Sequence, residues 1–377
     1  MAISSRFAFV GDLVLPKTGS KRPLYKDFEI TRDGKSYPAI SMNFGVKASD
    51  SNMAFVECFD SKQSVIKTMS TDNEKIEIDW GDRNSEDALA TVANYRKYVV
   101  DLGEECGGRQ EFITAFDFMQ CLHSCLTQYK GRILAMGQYT KDWYEGKNGG
   151  QFYDHFKLQN VFAAKEDAKN RLSLTMDLFY NKDSVDDTDW TTEKKIILNA
   201  YVPQYINKDE GTKYLPQTLV FSGEKYDSEN EKHKRLLEYK LFYVKTKSKT
   251  MVHIPWEVVL LRGAEEAEFT EDMLTPAQKV QVELGVKKVE DFKPRGTILG
   301  DRIVEYRLFD PRLTGDFSDG VVDTELSYTE FEESIYVPAQ DEKLDDVIAK
   351  VKKSAKKDDE PPFDNDKDDS VSDDDLF

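Results

Sequence analysis

The chain has 377 residues, a hydrophobic fraction of 39%, an aromatic fraction of 12% and a formal net charge of −18. This length predicts two or three domains, and the apolar content is sufficient for buried cores. The negative charge excludes binding to nucleic acid through net charge and leaves only a locally basic groove for that role.

Three further features of the sequence predict the compartment. No run of about eighteen apolar residues occurs, so we predict no membrane span. Residues 1–6 lack the apolar stretch of a secretory signal. Four cysteines in a chain of this length do not indicate a disulfide framework. We therefore expect a cytoplasmic protein.

Alternation of apolar and polar residues predicts strands throughout the first 225 residues. In the block 1–130, residues 39–47 and 53–59 alternate like half-buried antiparallel strands. In the block 131–225, five short strands are predicted, at 132–139, 152–162, 172–178, 196–202 and 217–221. Five short strands over about ninety residues fit a small closed barrel. The first block is predicted to form a similar but less regular unit with inserted helices.

Helical patterns are predicted in the first block and beyond the second. One helix should run from Asn84 or Ser85 to about Leu102, and another should cover 111–129. The second contains Cys121 and Cys125, four residues apart and so on one helix face. With His123 pointing elsewhere, buried thiols are favoured over a zinc site.

The remainder of the chain is predicted to contain no further barrel. A charged helix is expected at about 228–245 and a strand at 252–261. Thr275 to Gln278 has the form of a capping box with proline in the first turn. We predict that 226–345 is a helical and extended appendage and that 346–377 is a disordered tail passing from basic to acidic.

The strand predicted at 152–162 has a composition that suits single-stranded nucleic acid. Tyr153, His155 and Lys157 share one face, opposite an apolar face. Rings on such a face can stack on bases while cationic groups follow phosphates. Tyrosine and tryptophan in hairpins are also common as cross-strand packing pairs, and that alternative stays open. The remaining candidates for nucleic-acid contact are Tyr139, Lys141, Trp143, Tyr144, Lys147, Lys47 and Tyr201, with Arg6, Tyr37 and Phe55 of lower rank.

Enzyme signatures are absent from the sequence. It contains no phosphate-binding loop, no dinucleotide fingerprint, no HExxH and no GxSxG. Asp186, Asp187 and Asp189 could bind Mg²⁺, but an exposed loop is favoured for them. We predict a protein without catalytic residues, cofactor or metal.

The last twenty residues form an acidic segment with an apolar end. Residues 358–377 contain ten Asp or Glu and one Lys, too polar to bury a core. They end in Asp373, Asp374, Asp375, Leu376 and Phe377. An exposed phenyl ring beside carboxylates is suited to docking in a pocket with a basic rim.

This ending resembles the C-terminal tip of bacterial single-stranded DNA-binding proteins and of similar phage proteins. One departure is Leu376, where bacterial tips usually have proline. Together with the predicted barrels, the chain looks like a phage-type single-stranded DNA-binding protein of the oligonucleotide-binding (OB) fold. The resemblance implies coating of single strands in replication, recombination and repair, in the host cytoplasm if the chain is viral. It further implies that Phe377 docks replication or recombination proteins and that the tail competes with DNA.

An alternative from another class stays open. A viral structural or assembly protein could use the same acidic tail for contacts. Association into a homo-oligomer is compatible with either interpretation.

Overall fold

A computed structural model describes residues 5–17, 19–32, 34–146, 149–266, 270–293, 299–312 and 326–337. Residues 1–335 form one compact unit, and the fold below is that of this unit. The second unit, 336–377, has only its first two residues described, so the predicted tail and its tip lie outside the described residues.

The described part is rich in strands, as the sequence predicted, and most of them belong to a single large sheet. The strands are β1 (Arg6–Val14), β2 (Tyr25–Arg32), β3 (Lys35–Ser49), β4 (Asn52–Ser61), β5 (Val65–Met69), β6 (Lys75–Asp79), β7 (Tyr98–Asp101), β8 (Gln110–Phe112), β9 (Arg132–Gly146), β10 (Gly149–Ala163), β11 (Arg171–Tyr180), β12 (Val185–Asp186), β13 (Lys195–Asn207), β14 (Gly211–Ser222), β15 (Val252–Glu266) and β16 (Leu299–Pro311). The helices are α1 (Glu86–Thr91), α2 (Ala115–Leu126), α3 (Trp190–Glu193), α4 (Glu231–Val244), α5 (Pro276–Glu283) and α6 (Tyr328–Ser334).

The first barrel is a closed circuit of five strands, β1, β3, β4, β10 and β9. Its neighbours are antiparallel except β4 and β10, which run parallel where Glu57 pairs with Lys157. Helix α2 lies in the chain between β4 and β9 and packs on β3 and β4. The interior contains the clustered rings of Phe7, Phe9 and Phe156.

The second barrel repeats this order with β11, β13, β14, β16 and β15. Here β14 and β16 are the parallel pair, and Val220 is the partner of Arg307. Helix α4 occupies the same chain position as α2, between the third and fourth strands of its barrel when the five strands are counted in chain order. Its interior includes Leu172, Leu174 and Trp256, each no more than 1% exposed.

The two barrels share edges, so their strands form one sheet. β1 pairs with β11 over five residues, and β4 meets β15 at Asn52 and Gly263. The predicted blocks 1–130, 131–225 and 226–345 grouped these strands differently. The strands predicted at 132–139 and 152–162 close the first barrel, and β15 and β16 of the predicted appendage complete the second. Alternation identifies a strand but not its partner, because pairing joins residues far apart in the chain.

The helix predicted from residue 85 to about 102 is much shorter in the structure. Ser85 caps α1 by accepting a hydrogen bond from the Ala88 N–H, as predicted. The chain then leaves the helix after Thr91, and β7 pairs in parallel with β10. Val100 is fully buried there. Its β-branched side chain suits a strand better than a helix once a strand partner is present.

The other helix predictions agree better with the structure. Thr275 and Gln278 form the predicted capping box of α5. Cys121 and Cys125 lie on α2 as free thiols, and Cys125 Sγ contacts the carbonyl oxygen of Cys106 at 3.7 Å. Among the described residues, no group of three or more His, Cys, Asp or Glu is arranged to hold a metal ion. No helix in the described part of the chain is long and apolar enough to cross a membrane.

Candidate nucleic-acid interface

The hairpin β9–β10 separates the predicted site residues onto two faces. Tyr153, His155 and Lys157 point away from the first barrel, together with Tyr144 of β9. Tyr139, Lys141 and Trp143 pair with the opposite face of β10. Their partners there are Phe156, Asp154 and Phe152. The candidate residues therefore do not form one continuous surface, because successive side chains of a strand point to opposite faces.

Tyr139 is part of a buried polar cluster and does not present its ring to a ligand. It is 4% exposed, and its hydroxyl donates to Asp154 Oδ1 at 2.6 Å. The hydroxyl of Tyr306 donates to the other oxygen of Asp154 at 2.5 Å. Burial raises the pKa of both tyrosines far above the ordinary range, so both remain protonated donors. The cluster ties β10 of the first barrel to β16 of the second.

Lys141 also makes its contacts in the interior of the protein. Its Nζ donates to the carbonyl oxygen of Pro216 at 3.1 Å and lies 3.9 Å from Asp154 Oδ1. Burial lowers the pKa of this ammonium group. The side-chain amide of Gln204 forms two hydrogen bonds with the Lys141 backbone, as a neighbouring strand would. Lys141 thus joins the two barrels.

Trp143 is held against its own hairpin. Its ring centroid lies 4.9 Å from that of Phe152 at an edge-to-face angle. A Cβ on Gly150 would come within 2.0 Å of Trp143 Cζ2, so only glycine leaves room for the indole at this position. The cross-strand packing alternative therefore describes Trp143 in this structure.

His155 lies between two carboxylates on the outward face. Its Nδ1 is 2.5 Å from Glu57 Oε1, and its Nε2 is 3.5 Å from Asp142 Oδ2. The hydrogen bond to Glu57 is the largest cause of a raised pKa for His155, opposed by burial and by Lys157. The contact places Glu57 of β4 and His155 of β10 on one surface.

That surface carries exposed phenyl rings that the sequence interpretation missed or ranked low. Phe55 is 47% exposed and Phe59 is 37% exposed, whereas Ala54, Val56 and Cys58 of the same strand face the core. The alternation of 53–59 predicted the strand but did not say which face is inside. Glu57, between the two phenylalanines, is the signal that could have identified their face as the outer one.

The rings extend to both sides of β4. Phe28 of β2 stacks beside Phe59 with ring centroids 6.0 Å apart, and Lys26 Nζ lies 5.6 Å from the centroid of Phe28. On the hairpin, the rings of Tyr144 and Tyr153 are 6.0 Å apart. We call the outward rings the aromatic platform; its members are Phe28, Phe55, Phe59, Tyr144 and Tyr153.

The remaining predicted residues lie elsewhere. Lys47 pairs with Asp50 at 2.8 Å. Tyr201 is on the second barrel, where the Phe331 ring of α6 packs against it at 4.7 Å. Lys147 lies outside the described residues, as do the five residues of the predicted docking tip.

Comparisons with known proteins give little for this chain. No family model matches it, and no curated protein matches it. Among solved structures, it is similar to a deletion mutant of the single-stranded DNA-binding protein from Thermus aquaticus, with 10% identity and a TM-score of 0.26. The match covers 73% of this chain and 99% of that one. A TM-score this low supports no conclusion on fold or function.

Proposed function

We propose that this chain binds single-stranded DNA without sequence preference on the aromatic platform of the first barrel. The observation that carries the proposal is the exposure of Phe55 and Phe59 on the outward face of a sheet whose inward face is core. Exposed rings in a row are costly in water unless a ligand covers them. Nucleic-acid bases suit this surface because every base has a flat face that can stack on a ring.

We further propose that each five-stranded circuit is an OB barrel. Two features support this: the parallel pairing of the third and fifth strands, and the helix between the third and fourth. OB barrels bind oligonucleotides on the face of the second and third strands and in adjoining loops. In the first barrel these strands are β3 and β4, and β4 carries both Phe55 and Phe59.

The charges around the platform favour stacking over phosphate contact as the main source of affinity. Lys26 and Lys157 are exposed beside the rings and can follow phosphates. Glu57 and Asp142 partly cancel the charge of His155. Few phosphate contacts give a shallow dependence of affinity on salt, because few counterions are released on binding.

The acidic tail would bind the partner proteins of this chain. Residues 373–377 would dock proteins of replication, recombination or repair through Phe377, and the carboxylates would steer the tip to basic rims. A role in a bacteriophage, and action by binding rather than by catalysis, belong to the same proposal. Residues 358–377 carry −9 of the chain's formal net charge of −18 on the same polypeptide, so they would also compete with DNA.

The decisive test compares exposed phenylalanines on and off the platform. The full chain and its Phe55→Ala, Phe59→Ala and double variants are titrated with oligo-dT, and binding is followed by tryptophan fluorescence or anisotropy. We expect each substitution to cost about 1–3 kcal/mol of binding free energy, the range for loss of one stacked base. Phe242→Ala is the matched control, because Phe242 is 67% exposed on α4 and remote in sequence from the platform.

Equal affinity of all variants would exclude the platform as the binding surface. Absence of oligo-dT binding at low salt, with large defined oligomers that dissociate on Phe55→Ala substitution, would support the assembly alternative instead.

The docking claim is tested separately by capture of purified replication or recombination proteins with the full chain and with Phe377→Ala. Unchanged capture by the variant would contradict it.

A further inference from the structure

The second barrel carries a group of cations that the platform does not use. Lys225 follows β14, Arg307 lies on β16, Lys240 on α4 and Arg171 on β11. The topology brings these four side chains, separated by up to 136 positions in the sequence, to one part of the surface. Their convergence is notable because the whole chain is strongly negative.

Three of these cations meet around the ring of Phe309. Arg171 Cζ lies 4.6 Å from the ring centroid, Lys240 Nζ 4.9 Å and Lys225 Nζ 5.0 Å. Lys240 is almost buried, at 5% side-chain exposure, and its ammonium donates to the carbonyl oxygen of Phe309. The ring face attracts these cations and holds them closer together than their mutual repulsion favours.

The cluster has one more cation than its paired carboxylates neutralise. Arg171 pairs with Glu257 at 2.5 Å, Arg307 with Glu305 at 2.8 Å, and Lys240 with Asp310 at 3.3 Å. These three pairs leave Lys225, for which no ion pair with any described residue is found.

The electrostatic surroundings of Lys225 agree with an excess of positive charge. Burial lowers the pKa of its ammonium group most, and Lys240, Arg307 and Arg171 lower it further. Asp310 acts in the opposite direction. An added anion would relieve the repulsion among these cations.

A cavity opens beside the uncompensated cation. It has a volume of about 380 Å³ and is lined by Ser222, Glu224, Lys225, Arg307 and Leu308. Lys225 and Arg307 supply the positive wall, and Ser222 supplies a hydroxyl. Glu224 is the acidic member of the lining and should weaken anion binding. The volume is ample for a phosphate group with part of its nucleoside.

The position of Arg307 repeats that of Lys157. Arg307 lies on the fifth strand of the second barrel at the point where it pairs in parallel with the third. Lys157 lies at the corresponding point of the first barrel. Both barrels therefore place a cation at the junction of the same two strands, on their outward face.

We propose that the cavity bounded by Lys225 and Arg307 binds a phosphate group of single-stranded nucleic acid and forms a second contact site on the second barrel. The assignment of the backbone as the source of the phosphate rests on the proposed function. The cavity itself selects for the phosphate by charge, and a contact to phosphate carries no sequence information.

The test uses the full chain with three single substitutions that change one charge each. Lys225→Gln removes the uncompensated cation, Glu224→Gln removes the opposing carboxylate, and Lys234→Gln is a control on an exposed lysine of α4. Affinity for oligo-dT is measured over a range of salt concentrations. Affinity for inorganic pyrophosphate is measured by calorimetry.

We expect Lys225→Gln to weaken both ligands and to reduce the slope of log affinity against log salt by about 0.7, the value for one phosphate contact on a single strand. Glu224→Gln should tighten both ligands, and Lys234→Gln should change neither. If Lys225→Gln and Glu224→Gln alter neither ligand, the site is overturned.

The two ligands separate this proposal from the proposed function. Pyrophosphate binding that depends on Lys225, without any oligo-dT binding by the unsubstituted chain, would keep the phosphate site and overturn the nucleic-acid backbone as its source. Oligo-dT binding that depends on Phe55 but not on Lys225 would keep the platform and overturn the second site.

Discussion

His155 shows how one residue can serve both the fold and the candidate interface. Its ring bridges Glu57 of β4 and Asp142 of β9 from its place on β10. The three strands are thereby joined across the outward face, next to the rings of the platform. Since Lys157 on the same strand lowers the pKa while the carboxylates raise it, the net direction depends on the close contact with Glu57.

This contact predicts a pH dependence of stability. The folded pKa of His155 is raised above its ordinary value of about 6.5. A raised histidine pKa contributes stability that is fully present below about pH 6.5 and is lost as the pH rises through the folded pKa. Urea unfolding should therefore show that the free energy of unfolding of the unsubstituted chain falls between about pH 5.5 and 8.5. The fall should be smaller in Glu57→Gln. Identical pH profiles for the two proteins would contradict the assignment.

Gly137 provides a second prediction at the residue scale. A Cβ at this position would lie 2.0 Å from the carbonyl oxygen of Lys157 and 2.9 Å from the Phe7 ring. We expect Gly137→Ala to lower the free energy of unfolding by about 1–3 kcal/mol, as overpacking does. Gly81→Ala is the control, because nothing lies within 4 Å of its Cβ position. Equal denaturation midpoints for the two variants would show that β9 and β10 separate readily.

At the scale of elements, α6 is a short helix with one deep anchor. Phe331 is 1% exposed and packs on Tyr201 and Tyr214 of the second barrel. Isolated β-bridges pair Leu326 with Met251 and Ile335 with Tyr214, and they hold both ends of the segment. Tyr201 is thus covered by a neighbouring element, whereas Phe55 of the aromatic platform is 47% exposed.

The anchor predicts a large effect of one substitution. Phe331→Ala should lower the free energy of unfolding by about 3–5 kcal/mol if α6 unfolds with the barrel, the cost of emptying a large aromatic site. Tyr328→Ala on the same helix, where Tyr328 is 57% exposed, should cost less than about 0.5 kcal/mol. Chemical denaturation of both variants gives the comparison. A small loss for Phe331→Ala would mean that α6 detaches before the barrel unfolds.

At the scale of the whole molecule, charge is divided unevenly along the chain. The total is −18, and residues 358–377 contribute ten acidic side chains against one lysine. The cations near Phe309 belong to the part of the chain with the lower negative charge density. The second contact site proposed at these cations is therefore open to competition between the acidic segment and DNA.

Removal of the segment tests this competition. Deletion of 358–377 should tighten oligo-dT binding at low salt, and the gain should shrink as salt screens the charges. Deletion of Leu376 and Phe377 alone keeps every carboxylate and should leave DNA affinity unchanged. A titration of the three proteins at two salt concentrations gives the answer. An equal gain from both deletions would contradict competition by charge.

The candidate site was only partly predictable from the sequence. Tyr153, His155 and Lys157 were correctly placed on one face of β10, because alternation within a strand is a local property. The neighbours of that face were not predictable: Glu57 contacts His155 from a strand about 100 residues earlier in the sequence. Tyr139 and Lys141 are residue types that suit contact with nucleic acid. Their burial, however, depends on residues of the second barrel.

The sequence by itself determined the strand-rich class, the capped start of α1 and α5, and the acidic composition of the ending, because these follow from neighbouring residues. Tertiary structure alone decided that β9 and β10 close the first barrel, that β15 and β16 complete the second, and which rings face solvent. Strand pairing and burial depend on contacts between residues far apart in the chain. Such contacts form only when the whole sheet assembles, so no local pattern records them.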